Sequence, residues 1–284
     1  MPTSSESVSK LYGIISQHEN SRLAGHPMER EITLRAIRKG LAATSPKRIA
    51  DVGGGPGKLA FALADEGHKV DLIDLSPNLI QLGQAEQDKR KAAGNKPLLE
   101  SIAVGNAMDK SALQDESYDA VLLLGPLYHL MEESERAQAV THALNLAKPQ
   151  DGLIFVAFIS IAAHLRDIAM RNPGKILEFE GFYAKYLTDG RYEKFDSRIG
   201  TAVQSFHTRP VDIRSFFARN FSDSLDFIEL RSTEGILGGG LDTTLAKSSD
   251  ELVQAWASLL FDKYSTNEEH LGCADHLLAV LRRR

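Results

Sequence analysis

The sequence predicts an α/β fold, a mostly parallel sheet with helices on both faces, and three stretches carry that prediction. The first is Ile49-Ala50-Asp51-Val52, an apolar strand that runs into Gly53-Gly54-Gly55-Pro56-Gly57 and then into a helical pattern. The second, Lys69 to Asp74, alternates polar and apolar residues, ends in a carboxylate and is followed by Ser76-Pro77, a helix N-cap with proline at the first helical position. The third, Ala120 to Leu124, is continuously apolar, as a strand covered on both faces should be.

The glycine turn is the most informative of the three. Glycines there permit positive φ and let a ligand approach the main chain, and the following helix offers unpaired N–H groups. A dinucleotide-binding turn wants a third small residue where this chain has Lys58, and a phosphate loop wants a Gly-Lys-Ser/Thr that is absent. An acidic residue, Asp51, stands two positions before the first glycine. Asp74, at the tip of the second strand, is placed to accept both hydroxyls of a ribose.

The pattern Asp-x-Gly-x-Gly-x-Gly from Asp51 to Gly57 resembles motif I of the class I S-adenosylmethionine (SAM) dependent methyltransferases. The segment Gly125-Pro126-Leu127-Tyr128-His129-Leu130 after the third stretch resembles a hexapeptide of small-molecule members of that family. The resemblance implies a Rossmann-like sheet of seven strands, with SAM as cofactor and S-adenosylhomocysteine as product. It also implies that Asp51, Gly53, Gly55 and Gly57 hold the methionine part, and that Asp74 holds the ribose. Leu75, Ser76, Asn106 and Ala107 would then lie at the adenosine. Leu124, Gly125 and Pro126 would form the floor under the sulfonium. Asn106 departs from the family's usual aspartate, although an amide oxygen can also accept a hydrogen bond.

Taken in order, residues 1–45 read as a helical cap over the cofactor site, broken near Gly25-His26-Pro27. Tyr12, Arg22 and Glu29 are its polar candidates near a site, and the resemblance implies a bidentate contact of the arginine with the SAM carboxylate. Residues 46–159 are the cofactor-binding core, with Ser101 to Val104 as a third strand and Leu153 to Ile159 as a fifth. Residues 160–210 exceed an ordinary connection and are rich in aromatics, which predicts a helical lid over a substrate. Residues 211–284 complete the sheet, with His276 to Leu281 as the closing strand.

Two residues are candidates for chemistry. His129 titrates near neutrality and could take a proton from a hydroxyl or amine; Tyr128 could line the transfer pocket. Because a sulfonium is already activated, alignment and desolvation alone can carry much of such a transfer.

A net charge of −5 counts against a dedicated nucleic-acid binder, as does the lack of the Asn/Asp-Pro-Pro-Tyr segment of nucleobase-methylating enzymes. The expected partner is a small-molecule methyl acceptor, with the oligomeric state (monomer or homodimer) open. The single cysteine, Cys273, excludes an internal disulfide and is expected to be a buried, inert thiol. No apolar run reaches the roughly 18 residues of a membrane span and no signal peptide is read, so a cytoplasmic location is expected. The nine histidines are scattered without a Cys pair or a His-Glu-x-x-His, so no metal site is expected. Three rival readings stay open: a non-methylating reaction such as a cyclisation on the same fold, a regulatory subunit, and an NAD-dependent oxidoreductase.

Overall fold

The computed structural model describes residues 4–42, 45–94, 97–109, 113–198 and 200–284. Two helices, α1 (Ser4–Gly25) and α2 (Pro27–Leu41), precede the first strand, β1 (Arg48–Val52). There follow α3 (Lys58–Asp65), β2 (Lys69–Asp74), α4 (Pro77–Ala92), β3 (Ser101–Val104) and β4 (Ala120–Leu123). Next come α5 (Glu133–Leu146), β5 (Leu153–Ser160), α6 (Ile161–Arg171), α7 (Lys175–Glu178) and α8 (Glu180–Asp189). A hairpin of β6 (Arg191–Asp196) and β7 (Thr201–Thr208) leads to α9 (Pro210–Phe221) and β8 (Leu225–Ser232). The chain closes with α10 (Asp250–Leu259), α11 (Glu268–Leu271) and β9 (His276–Arg283).

The main sheet has the order β3-β2-β1-β4-β5-β9-β8, parallel from β3 through β5, with β9 antiparallel to both β5 and β8. Its two faces explain the apolar runs. Val121 and Leu123 of β4, with Ile154 and Val156 of β5 and Leu277 and Leu281 of β9, face the core shared with α5 and α9. Their neighbours Ala120, Leu122, Leu153, Phe155, Leu278 and Val280 face a second core built with α2 and α3. A strand side chain alternates between faces, so burial on both leaves no polar position in β4.

Short sequence signals set the helix ends. Ser76 caps α4 by accepting from the Leu79 N–H, with Pro77 at the first helical position, as expected. Helix α5 begins at Glu133 because Glu132 and Glu135 form a capping box there.

The lid region differs from the expected all-helical insertion. Its α6 and α8 enclose a small core of Ile161, Ile168, Tyr183 and Tyr186, but β6 and β7 form an antiparallel hairpin. Strand β7 pairs in parallel with the last two residues of β5, Ile159 with His207 and Ser160 with Thr208. It thus takes up the edge of β5 beyond the point where β4 has ended at Leu123. The hairpin therefore stands at the carboxyl end of the sheet, where ligands bind in open α/β folds.

Cys273 is exposed, not buried as expected. It lies three residues before β9, in the turn after α11, and a turn at the surface has no core to shield it. Among the described residues, no helix is long and apolar enough to cross a membrane.

Candidate functional site

The carboxyl ends of β1, β2 and β4 open onto one cavity, and the cap helix α1 closes over it. Its walls include Tyr12 and Arg22 from α1, Asp51, Gly53, Gly54 and Gly55 from the first turn, and Asp74, Leu75 and Ser76 from the second. Asn106 and Ala107 follow β3, and Leu124, Gly125, Pro126, Tyr128 and His129 follow β4. Residues taken separately from the sequence thus converge on one space. Gly57 is the exception and does not line it. It caps α3 with φ of +80°, and a Cβ there would lie 2.8 Å from Leu72 Cδ2, so its smallness serves the helix–strand packing.

Several lining residues went unmarked in the sequence. Val8, Ser9 and Leu23 come from α1, Leu59 from α3 and Leu79 from α4. An apolar residue on a helix carries the same signal whether it faces a core or a cavity, so only the fold separates them.

The two turns meet closely. A Cβ on Gly53 would sit 2.4 Å from Pro126 Cγ, and one on Gly125 would sit 2.9 Å from the Gly53 carbonyl. Gly54 faces Asp51 in the same way, with 2.3 Å from a hypothetical Cβ to Asp51 Oδ2. Backbone, rather than side chain, therefore lines this wall.

Asp74 is held rigidly. Its Oδ2 accepts from the Gly55 N–H at 2.8 Å and its Oδ1 from the Ser76 N–H at 2.8 Å. Asp51 is the opposite case: it is buried, and its Oδ2 has no hydrogen-bond partner among the described residues. Burial, and then the neighbouring Asp74 carboxylate, push its carboxyl up to about 7. An uncompensated buried carboxylate facing a cavity is a strong sign that a cationic group belongs there.

Asn106 uses its amide oxygen within its own turn, accepting from the Met108 N–H at 3.0 Å. The second lone pair of that oxygen and the amino group can both still meet a ligand. His129 lies against Tyr12, with Nε2 and the Tyr12 hydroxyl 2.9 Å apart, and the Tyr128 ring meets it edge-on. Burial pulls its imidazole down to about 4, against a weaker opposite pull from the Gln204 backbone of β7. His129 is therefore neutral at physiological pH and touched by both the cap and the lid hairpin.

Arg22 is engaged by Glu29, with Nη1 to Oε2 at 2.5 Å. Glu29 in turn lies near Glu234 and His276, and ligand atoms of these three fall within 4.8 Å of one another. Sequence spacing gave no warning of that group, because its members stand on α2, after β8 and at the start of β9.

Residues 49–150 match the family described as a methyltransferase domain. Those are the residues that supply both carboxylates, the glycine turn and the segment after β4. The match covers that segment alone and marks it as similar to a methyltransferase domain. A protein of Geobacillus sp. (strain WCH70) described as a methyltransferase is 34% identical over 114 residues, 38% of this chain and 40% of that protein. The chain thus matches well under half the length of that relative. The magnesium protoporphyrin IX methyltransferase of Synechocystis PCC 6803, solved with SAM bound, superposes with a TM-score of 0.56 at 14% identity, covering 100% of this chain and 99% of that one. The [4+2]-cyclase SpnF superposes with a TM-score of 0.57 at 15% identity, covering 99% and 97%. At such identities the two structures establish the methyltransferase-type fold and nothing finer.

The burial of Asp51 has a measurable consequence. Its folded pKa is raised, so its cost to stability is absent in acid, grows as pH rises from the ordinary carboxylate range toward 7, and is fully present above that. Asp51→Asn is expected to be more stable than the native chain by about 1–3 kcal/mol at pH 8, with the gap closing toward pH 4. Urea unfolding of both proteins across that range checks it; an Asn variant less stable at pH 8 contradicts it.

Proposed function

We propose that the protein transfers a methyl group from SAM to an oxygen or nitrogen atom of a small metabolite, releasing S-adenosylhomocysteine. The observation that carries this reading is the pair of carboxylates, Asp51 and Asp74, on the wall built by the glycine turn. A pyrophosphate would meet two negative groups there, whereas an ammonium-bearing amino-acid tail would neutralise one of them. The same argument disfavours NAD.

In this reading Asp51 faces the ammonium, Asp74 accepts from the ribose hydroxyls, and the Asn106 amino group addresses the adenine ring. The backbone of Gly53, Gly54 and Gly55 lies along the tail, and Leu124, Gly125 and Pro126 lie beneath the reacting end. SAM supplies the methyl group on a sulfonium, so the chain has to align an acceptor, exclude water and dispose of one proton. Tyr128 and His129 face the acceptor. With an imidazole near pH 4, His129 holds a proton only weakly, which suits a neutral hydrogen-bond partner better than an obligatory general base. The residues around 160–210 support a lid role, because β7 sets the Gln204 backbone against His129. The domain boundaries expected at residues 45, 159 and 210 belong to this proposal.

The fold shared with a [4+2]-cyclase favours one second reading, a rearrangement without methyl transfer, since a fold hosts more than one chemistry. Product mass separates the two. Methyl transfer adds one CH₂ to the acceptor, labelled when the SAM methyl is labelled; a cyclisation leaves the mass unchanged.

Calorimetry on ligand-stripped protein is the first test. SAM and S-adenosylhomocysteine are expected to bind, Asp74→Ala to weaken both at least about tenfold, and NAD to be rejected. Binding of NAD in preference to either adenosyl ligand overturns the reading. Once an acceptor is known, His129→Ala is expected to lower kcat by about tenfold, short of the roughly 10²–10⁴ lost with an essential base.

A further inference from the structure

A second group of charges sits beside the cavity, at the corner between α1 and α2 and the adjoining ends of β8 and β9. Arg22 is in the last turn of α1, Glu29 in the first turn of α2, Glu234 two residues beyond β8 and His276 the first residue of β9. Arg22 Nη1 lies 2.5 Å from Glu29 Oε2, which is 3.8 Å from His276 Nδ1. His276 Nδ1 is 2.7 Å from Glu234 Oε1. Glu234 is anchored by its other oxygen, which accepts from the backbone N–H groups of Asp275 at 3.0 Å and His276 at 2.9 Å. The row therefore alternates cation, anion, cation, anion, and ends on the backbone.

The spacing of Glu29, Glu234 and His276 would also suit a bound cation. The groups already compensate one another, however. Glu234 has two backbone donors and an imidazole, and Glu29 has a guanidinium. Burial would push Glu29 up, but Arg22 and then His276 outweigh it and bring the carboxyl down to about 2. Burial would pull His276 down, but Glu29 and Glu234 outweigh it and bring the imidazole up to about 9. Glu29 and His276 both stay charged at neutral pH, as the ion-pair chain requires. A metal would have to displace a proton and compete with an arginine.

The position of the chain gives it a role. Arg22 lines the cofactor cavity, and an arginine contributes a directed contact only if its planar fork is held in one orientation. Glu29 supplies that restraint from across the helix corner, and its own restraint comes from the sheet. His276 pairs with Ile159 at the carboxyl end of β5, so the anchor belongs to the sheet. We propose that Glu29, fixed in place by His276 and Glu234, is the positioning residue that orients Arg22 toward the carboxylate of the cofactor's amino-acid tail. The proposal rests on the reading of the cavity as a SAM site.

The test uses two ligands that differ only at the tail. S-adenosylhomocysteine carries the amino-acid carboxylate; 5′-methylthioadenosine keeps the adenosine thioether and lacks it. Both are titrated calorimetrically into the native chain, Glu29→Gln and His276→Gln. The expected result is a loss of S-adenosylhomocysteine affinity of about tenfold in Glu29→Gln and about threefold in His276→Gln. Binding of 5′-methylthioadenosine stays within about twofold of the native chain in both, which also shows that the adenosine end of the site is intact. Equal loss of both ligands in either variant means that the residues only support the fold, and overturns the proposal. Undiminished S-adenosylhomocysteine binding by Glu29→Gln overturns it as well. A native chain that binds neither ligand instead removes the SAM reading itself.

Discussion

The site turns on the burial of two carboxylates, Asp51 and Asp74, at the ends of adjacent parallel strands. Strand β1 pairs with β2 so that Asp51 lies opposite Leu72 and Val52 opposite Ile73, which brings the end of one strand beside Asp74 of the other. Asp74 is neutralised in part by two backbone N–H groups; Asp51 is not, and its proton affinity rises in consequence. An empty site of this kind is a standing cost to stability. Such costs persist at sites that a ligand relieves.

The surrounding elements can be understood as what that pair requires. The glycine turn keeps side chains out of the space in front of Asp51, where a Cβ on Gly54 would collide with the carboxylate. The cap helix α1 roofs the cavity, tied to the segment after β4 through Tyr12 and His129 and to the corner of α2 through Arg22 and Glu29. The hairpin of β6 and β7 extends β5 past the end of β4, and its Gln204 backbone reaches His129. Charge, cap helix and hairpin thus meet at one end of the sheet.

Much of this was legible in the sequence, and for a common reason: the readable features are local. Motif and strand in Ile49 to Gly57, the apolar run of β4 and the Ser76-Pro77 cap each place their physical cause within a few residues. Strands β6 and β7 were missed because β6 is mostly exposed and carries no apolar alternation, so its aromatics, such as Tyr192 and Phe195, resembled a helical lid. The cluster of Glu29, Glu234 and His276 was invisible because chain separation hides any grouping made by tertiary contact. Gly57 was assigned to the ligand when its smallness answers to Leu72, a distinction that only the packing reveals. Asn106 kept its place in the site while its oxygen turned to Met108, because a short polar side chain also serves its own turn.

The central claim is that the Asp51 carboxylate awaits a cation. Its most direct test is a carbon-13 NMR titration of the aspartate carboxyls, with Asp51 assigned through Asp51→Asn, on empty protein and on protein saturated with S-adenosylhomocysteine. The account predicts that Asp51 titrates near 7 in the empty protein and drops out of the neutral range once the ligand's ammonium is beside it. An ordinary carboxylate titration in the empty protein, or an elevated one that the ligand leaves unchanged, would contradict it.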